Sequence, residues 1–220
     1  MGVVALALLA ALLGNFVVLL TIASKDVRND SDSVGTYLMV DMVLLFGSIM
    51  AFEYAGISVR DDVAVRRNSG AAAAVCGLIT GVGFCVAGSN TGNGPGPEVV
   101  LFCAAVSIAA LFVVWVGLNA FTGIVDCVTV ERELSAGLRA GSFLCAAGAI
   151  LGSAVAGNWE SVSVTLRDLM RFGWPVLLLL AVAVVAEKTL QRRKAAASMA
   201  YSVAIFLLGV FYAVRVWGAA

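Results

Sequence analysis

The stretch RRNSGAAAAVCGLITG, from Arg66 to Gly81, sets two arginines and an asparagine directly before an apolar run. Its last two glycines, Gly77 and Gly81, are four residues apart and would share one face of a helix. Small residues at this spacing allow two helix backbones to approach closely inside a membrane, where lipid removes the hydrophobic drive for association. The stretch therefore predicts a membrane-spanning helix that starts after the arginines and has a closely packing face.

The composition of the whole chain is that of an integral membrane protein. Of its 220 residues, 61% are hydrophobic and 13% are charged, whereas about a quarter of the residues in a soluble domain are charged. The 14 basic and 14 acidic residues give a formal net charge of zero, so no overall field attracts nucleic acid. We therefore predict a membrane protein without a nucleic-acid partner.

The residue types do not indicate a cofactor or a metal site. The chain has no histidine, which excludes His-ligated haem, His-ligated zinc and histidine general bases. Its five cysteines stand apart, mostly in apolar runs, and form no CxxC pair. The sequence also has no phosphate-binding loop of the GxxxxGK[ST] type and no nucleophile elbow. We predict no cofactor, no metal site and no enzymatic activity.

Seven segments approach the length of roughly 20 apolar residues that a membrane-spanning helix needs. They are residues 3–24, 35–57, 70–89, 99–123, 139–157, 172–188 and 196–217. The stretch WESVSVTLRDLMRF, residues 159–172, has apolar residues at helical spacing and is predicted to lie along the outer membrane surface before the sixth span. The sequence thus predicts an all-α, polytopic transmembrane helix bundle of about seven helices with brief connections.

Basic residues are distributed unequally between the two sides that these spans define. The loops after the second, fourth and sixth spans carry nine of them: Arg60, Arg66, Arg67, Arg132, Arg139, Lys188, Arg192, Arg193 and Lys194. The loops on the other side carry four: Lys25, Arg28, Arg167 and Arg171. Because basic loops stay in the cytoplasm, this predicts an amino terminus in the cytoplasm and a carboxyl terminus outside.

The second half of the sequence resembles the first when it is shifted by about 71 residues. The shift aligns three pairs: Gly77 with Gly148, Gly81 with Gly152, and Asp62 with Glu133. Two predicted helices separate equivalent positions, so both copies enter the membrane in the same direction, which indicates a parallel repeat with a second glycine face for helix packing. The chain then divides into an N-terminal helix with its outer loop (1–34), repeat copy one (35–115), repeat copy two sharing the fourth span (105–187) and a C-terminal helix (188–220).

An acidic residue, an asparagine, an alanine-rich run and a Gly-xxx-Gly pair follow one another in copy one, at Asp62, Asn68, Gly77 and Gly81. This order resembles the bacterial membrane proteins of domain-of-unknown-function family 350. Copy two carries the same pattern at Glu133, Gly148 and Gly152, except that Arg139 stands where the family has asparagine. The resemblance implies a multi-pass bacterial inner-membrane protein with tandem copies and no established activity.

The most informative polar residue inside a predicted span is Asp41. It lies about 9 Å into the second span, too deep for so short a side chain to reach water, so it should be partnered or protonated. We expect an ion pair with Arg215 near the outer end of the last span; a proton or cation site and an interface with another subunit are the alternatives. Asn15, alone in the first span, is expected to make an interhelical hydrogen bond.

Further polar residues fall on shared helix faces. Ser48 lies on the face of Asp41, and Asn119 lies on the face of Asp126. The shift of 71 residues aligns Ser48 with Asn119, which indicates a polar route between the two copies. Acidic residues at the inner ends of the even-numbered spans, Glu53, Asp126 and Glu187, are expected to pair with arginines of the basic loops such as Arg66, Arg132 and Arg192.

Two classes of function remain open. The first is a structural or adaptor membrane protein, or a subunit of a larger complex, that binds membrane lipid and assembles as a homo-oligomer or with partner subunits. The alternative is a small channel or transporter for protons, cations or a small solute. Its route would be lined by Asp41, Ser48, Asn119 and Asp126.

Overall fold

The computed structural model describes residues 1–190 and 195–217. These residues form ten α-helices and one π-helical segment, Val59–Val65, with no β-strand among them. The α-helices are α1 (Gly2–Thr21), α2 (Lys25–Arg28), α3 (Ser31–Tyr54), α4 (Ser69–Ser89), α5 (Pro97–Thr122), α6 (Ile124–Thr129), α7 (Leu134–Val155), α8 (Val162–Gly173), α9 (Pro175–Leu190) and α10 (Ala195–Trp217). The predicted helical bundle is confirmed.

Six of these helices are long and apolar enough to cross a membrane: α1, α3, α4, α5, α7 and α10. Helices α8 and α9 meet at a bend of 40° and make a seventh candidate span if they are counted together. The architecture is therefore consistent with a multi-pass membrane protein. The predicted position of residues 159–172 along the outer membrane surface stays a prediction. Helix α8 packs on α7.

Capping residues set the ends of the long helices. The carboxylate of Asp30 accepts hydrogen bonds from the backbone N–H groups of Asp32 and Ser33 and starts α3. Pro97 occupies the first turn of α5, where its missing N–H is not needed. Gly123 ends α5 in the left-handed conformation, with φ of 65°.

Helices α4 and α7 form the centre of the bundle and run parallel. Each carries four glycines on the face that meets the other helix: Gly70, Gly77, Gly81 and Gly88 on α4, and Gly137, Gly141, Gly148 and Gly152 on α7. A methyl group added at any of them would lie less than 3.0 Å from backbone atoms of the other helix or of its N-cap. The two backbones are thus in direct contact, and we call this interface the glycine seam. It contains the predicted helix-packing residues Gly77, Gly81, Gly148 and Gly152.

Two outer helices extend this parallel arrangement. Helix α1 packs on α4 in the same direction. Cys76, two turns into α4, lies near Val3 at the start of α1, and Asn15 further along α1 donates a hydrogen bond to the Gly83 carbonyl at 3.3 Å. Helix α10 packs on α7 in the same sense. The opposing helices α3, α5 and α9 cover these four. The hydrogen bond that was expected of Asn15 is therefore present, to α4.

Backbone features recur at a spacing of 65 residues. Arg67 and Arg132 both have positive φ, 51° and 56°, directly before α4 and α7. Gly92 and Gly157 both have positive φ in the loops that follow these two helices. This spacing differs from the predicted shift of about 71 residues, which stays a prediction, because the glycine pairs of two helices rich in small residues can be aligned at more than one shift. Asn68 and Glu133 both occupy N-cap positions, of α4 and α7, whereas Arg139 lies inside α7.

The bundle has two distinct ends. We call the end with the loops of Arg66, Arg67 and Arg132 the arginine end, and the end with Gly92 and Gly157 the glycine end. Three of the basic residues that the topology prediction counted, Arg192, Arg193 and Lys194, lie outside the described residues.

Candidate functional site

Asp41 is fully buried on α3, near the glycine end of the bundle. Its partner is Asn90, the residue that follows α4 and is held there by a hydrogen bond from its backbone N–H to the Val86 carbonyl. The Nδ2 atom of Asn90 donates to both carboxylate oxygens of Asp41, at 3.1 and 3.0 Å. The residue that ends α4 thus donates hydrogen bonds to Asp41, the only acidic residue of α3 that is buried.

Asn90 also borders a polar cavity at the glycine end. Only 4% of Asn90 is exposed, and its Oδ1 atom has no hydrogen-bond partner among the described residues. The cavity has a volume of about 50 Å³, enough for a few water molecules. Its polar lining includes Ser24, Tyr37, Ser89, Thr91, Asn158 and Asp168. Asn90, the partner of Asp41, therefore has a buried oxygen without a donor among the described residues and borders a small polar cavity.

The expected ion pair between Asp41 and Arg215 is not formed among the described residues. The guanidinium of Arg215 lies over the ring of Phe211 on its own helix, 5.1 Å from the ring centroid. The arrangement of the helices explains why the pair does not form, because α3 packs against α1 and α4 whereas α10 packs against α7. Depth in the membrane was therefore a poor guide to which helix would supply the partner.

The four residues of the predicted polar route do not come together. Asn119 lies at the arginine end of α5, where its Oδ1 accepts a hydrogen bond from the Val125 N–H at 3.1 Å and closes the turn before α6. Asp126 is exposed on α6. Ser48 is buried on α3, but Asp41 lies about 25 Å from Asn119 along the helix axes.

Aromatic rings fill the space between these two ends. Phe52 on α3 packs against Phe112 and Trp115 on α5, with ring centroids 6.4 and 5.2 Å apart. Phe52 and Trp115 are fully buried. The interface between α3 and α5 is therefore apolar and closed where the predicted route would have to continue.

A second buried polar group lies near the arginine end and joins three helices. Arg139 on α7 donates to both carboxylate oxygens of Glu187 on α9, at 2.6 and 2.9 Å, and to the hydroxyl of Ser198 on α10, at 2.8 Å. Arg139 and Glu187 are 1% and 2% exposed, so the pair is shielded from solvent. Glu133 lies 3.9 Å from the same guanidinium. This bidentate arrangement is the strongest type of charged hydrogen bond between side chains.

Sequence reasoning missed this group because Arg139 was counted with the basic loop. The predicted fifth span begins at residue 139, whereas α7 begins at Leu134, so the arginine is more than one turn inside the helix. Glu187 was expected to pair with a loop arginine such as Arg192, which lies outside the described residues. The sequence did carry one signal for this pair: Arg139 and Glu187 have opposite charges and lie near the same end of two predicted spans.

The residues of the family pattern build the turns that start the central helices. The Oδ1 atom of Asn68 caps α4 by accepting from the N–H groups of Gly70 and Ala71, and its Nδ2 donates to the Val128 carbonyl at 2.6 Å. Asp62 accepts from the Ser58 N–H and pairs with Arg66 at 3.2 Å. Glu133 occupies the N-cap position of α7 and bonds to Ser135. These residues have structural tasks.

One group of side chains at the arginine end has the spacing of metal ligands. Cys127, Glu131 and Glu133 each offer one ligand atom within 4.8 Å of the other two. Glu133 already contacts Arg139 and Ser135, and Glu131 is exposed. We assign no metal to this group.

No protein-family model matches the chain, and neither the curated proteins nor the solved structures include a significant match. Any function assigned to it therefore depends on its own residues and their geometry.

Proposed function

We propose that this chain has a structural or adaptor role in a membrane, as a subunit of a larger assembly or as a homo-oligomer, and that it is not an enzyme. The observation that carries this proposal is the glycine seam. A route between the two halves of the chain would run beside α4 and α7, and there the backbones of these two helices are in contact along their whole length. Packing of this kind favours a rigid framework over a conduit.

The buried polar groups support the same role. Arg139 holds α7, α9 and α10 together, Asn68 joins the start of α4 to α6, and Asn15 joins α1 to α4. These hydrogen bonds between helices fix the positions of the helices relative to one another. The outermost helices, α1 and α10, present large exposed apolar side chains for lipid or a partner subunit, among them Leu6, Leu9, Leu13, Leu207, Leu208 and Phe211.

The transport alternative has less support. Asp41 and Asn119 lie near opposite ends of the bundle, and aromatic rings close the interface between their helices. Asp126 is exposed outside this interface. A transport role would therefore need a different route from the one predicted.

The orientation and the family belong to the proposal as well. We place the arginine end in the cytoplasm of a bacterial cell, with the protein in the inner membrane, because exposed Arg66 and Arg67 suit the anionic cytoplasmic lipid surface. The resemblance to domain-of-unknown-function family 350 stays part of this proposal and rests on the sequence pattern at Asp62, Asn68, Gly77 and Gly81.

Association and flux together test the proposed function. In mild detergent, native mass spectrometry is expected to find a homo-oligomer or a partner in fixed stoichiometry. In proteoliposomes, the protein is expected to give no flux of protons, cations or small solutes above that of empty vesicles. A conducting monomer would contradict the proposal, above all if Asp41→Asn or Asn119→Ala abolished flux and the exposed-site control Asp32→Asn did not.

A further inference from the structure

The carboxyl group of Asp41 has no cationic partner among the described residues. Among the described residues, its carboxylate oxygens accept hydrogen bonds from the neutral amide of Asn90. Helices α1, α2, α4 and α5 pack around α3, and α1 carries no ionisable side chain. None of the other ionisable residues on α2, α3, α4 and α5 forms an ion pair with Asp41. These residues are Lys25, Asp26, Arg28, Asp32, Tyr37, Glu53, Tyr54, Cys76, Cys85, Glu98 and Cys103.

An ionised Asp41 would therefore be a poorly compensated charge in the interior. One amide N–H₂ group shared between two carboxylate oxygens leaves most of their acceptor capacity unused. Burying a charge without a counter-charge is costly, and such groups commonly remain neutral instead. This argument favours the acid form of Asp41.

The geometry of Asn90 gives an independent reason. With Nδ2 donating to both oxygens of Asp41, the Oδ1 atom of Asn90 is left buried and without a donor among the described residues. A proton on Asp41 supplies the missing donor. After a small rotation of the amide, the Asp41 O–H donates to Asn90 Oδ1, and Asn90 Nδ2–H donates to the other oxygen of Asp41. One proton thus removes the buried charge and satisfies the orphan oxygen.

We infer that Asp41 and Asn90 form a proton-binding pair that holds a proton on Asp41 in the folded protein and exchanges it through the polar cavity at the glycine end. Asn90 lines that cavity beside Ser89 and Tyr37, so water can reach the pair from this end. Towards the arginine end, the packed rings of Phe52 and Trp115 close the path. The proton enters and leaves on one side, and this inference does not depend on the proposed structural role.

Infrared spectroscopy of the full chain in lipid vesicles tests the pair directly. A protonated carboxyl group in an apolar setting gives a carbonyl band distinct from that of a carboxylate. At neutral pH, the parent protein is expected to show this band, and Asp41→Asn is expected to lose it. The matched control is Asp126→Asn, which changes an exposed acid on α6 and is expected to keep the band.

A second variant assigns the partner. Asn90→Ala removes both the amide donor and the Oδ1 acceptor, so the Asp41 band is expected to persist at a shifted position that reports a carboxyl group without hydrogen bonds. This variant also keeps the test valid if Asp41→Asn does not fold. The inference is overturned if the parent lacks the band at neutral pH, if Asp41→Asn retains it, or if Asn90→Ala leaves its position unchanged.

Discussion

Replacing Gly148 by alanine is expected to lower the free energy of unfolding by about 1–3 kcal/mol or more, although the change adds a single methyl group. That methyl would lie less than 3.0 Å from the backbone of Gly81 on α4. Backbone atoms cannot turn aside as a flexible side chain can, so α4 and α7 would have to separate along the glycine seam. Unfolding by a denaturing detergent, followed by circular dichroism, would measure the loss.

The matched control for this variant is Gly47→Ala on α3. A methyl group at Gly47 meets no atom within 4 Å, and the position is an exposed site inside a helix. Alanine is favoured over glycine there by about 0.5–1 kcal/mol, so this control should be neutral or slightly stabilising. Equal effects of the two substitutions would show that the glycine seam is not closely packed.

Arg139→Ala is expected to destabilise the protein by about 3–5 kcal/mol, because it leaves the carboxylate of Glu187 buried without its partner. The same unfolding measurement applies. The double variant Arg139→Met with Glu187→Leu removes both charges and keeps apolar bulk, so it should recover most of the loss.

Arg66→Ala provides the comparison for a charge pair near the surface. The side chain of Arg66 is 52% exposed in its pair with Asp62, and such pairs contribute less than about 1 kcal/mol. If Arg139→Ala were as mild as Arg66→Ala, the buried network would not be holding α7, α9 and α10 together.

The helices and their parallel central pair could be predicted because they depend on local properties of the sequence. Long apolar runs have the length of a membrane, and small residues four apart mark a face for close packing. Gly77, Gly81, Gly148 and Gly152 accordingly lie in the glycine seam. The recurrence of backbone features at 65 residues could not be predicted in this way, because it depends on the backbone conformation of the turns at Arg67 and Arg132.

The partners of the buried polar groups could not be predicted in the same way. Asp41 was paired with Arg215 from the sequence because of their depth in the membrane alone. The actual partner, Asn90, lies in a loop rich in turn residues, where nothing in the sequence distinguishes it. Which helix end faces a given carboxylate depends on how all the helices are arranged. Arg139 was taken for a loop residue because the predicted start of its span was five residues late.

Thiol labelling of the native protein in lipid vesicles tests the closed glycine seam most directly. Cys85 is fully buried on α4 with its sulfur 3.7 Å from the Gly148 carbonyl, and Cys145 is buried on α7. A small water-soluble thiol reagent, with modified residues located by mass spectrometry, should leave both cysteines unmodified until the protein is denatured and should then modify both. Modification of Cys85 in the folded protein would show that water reaches the seam, and would contradict the account of this chain as a closed structural framework.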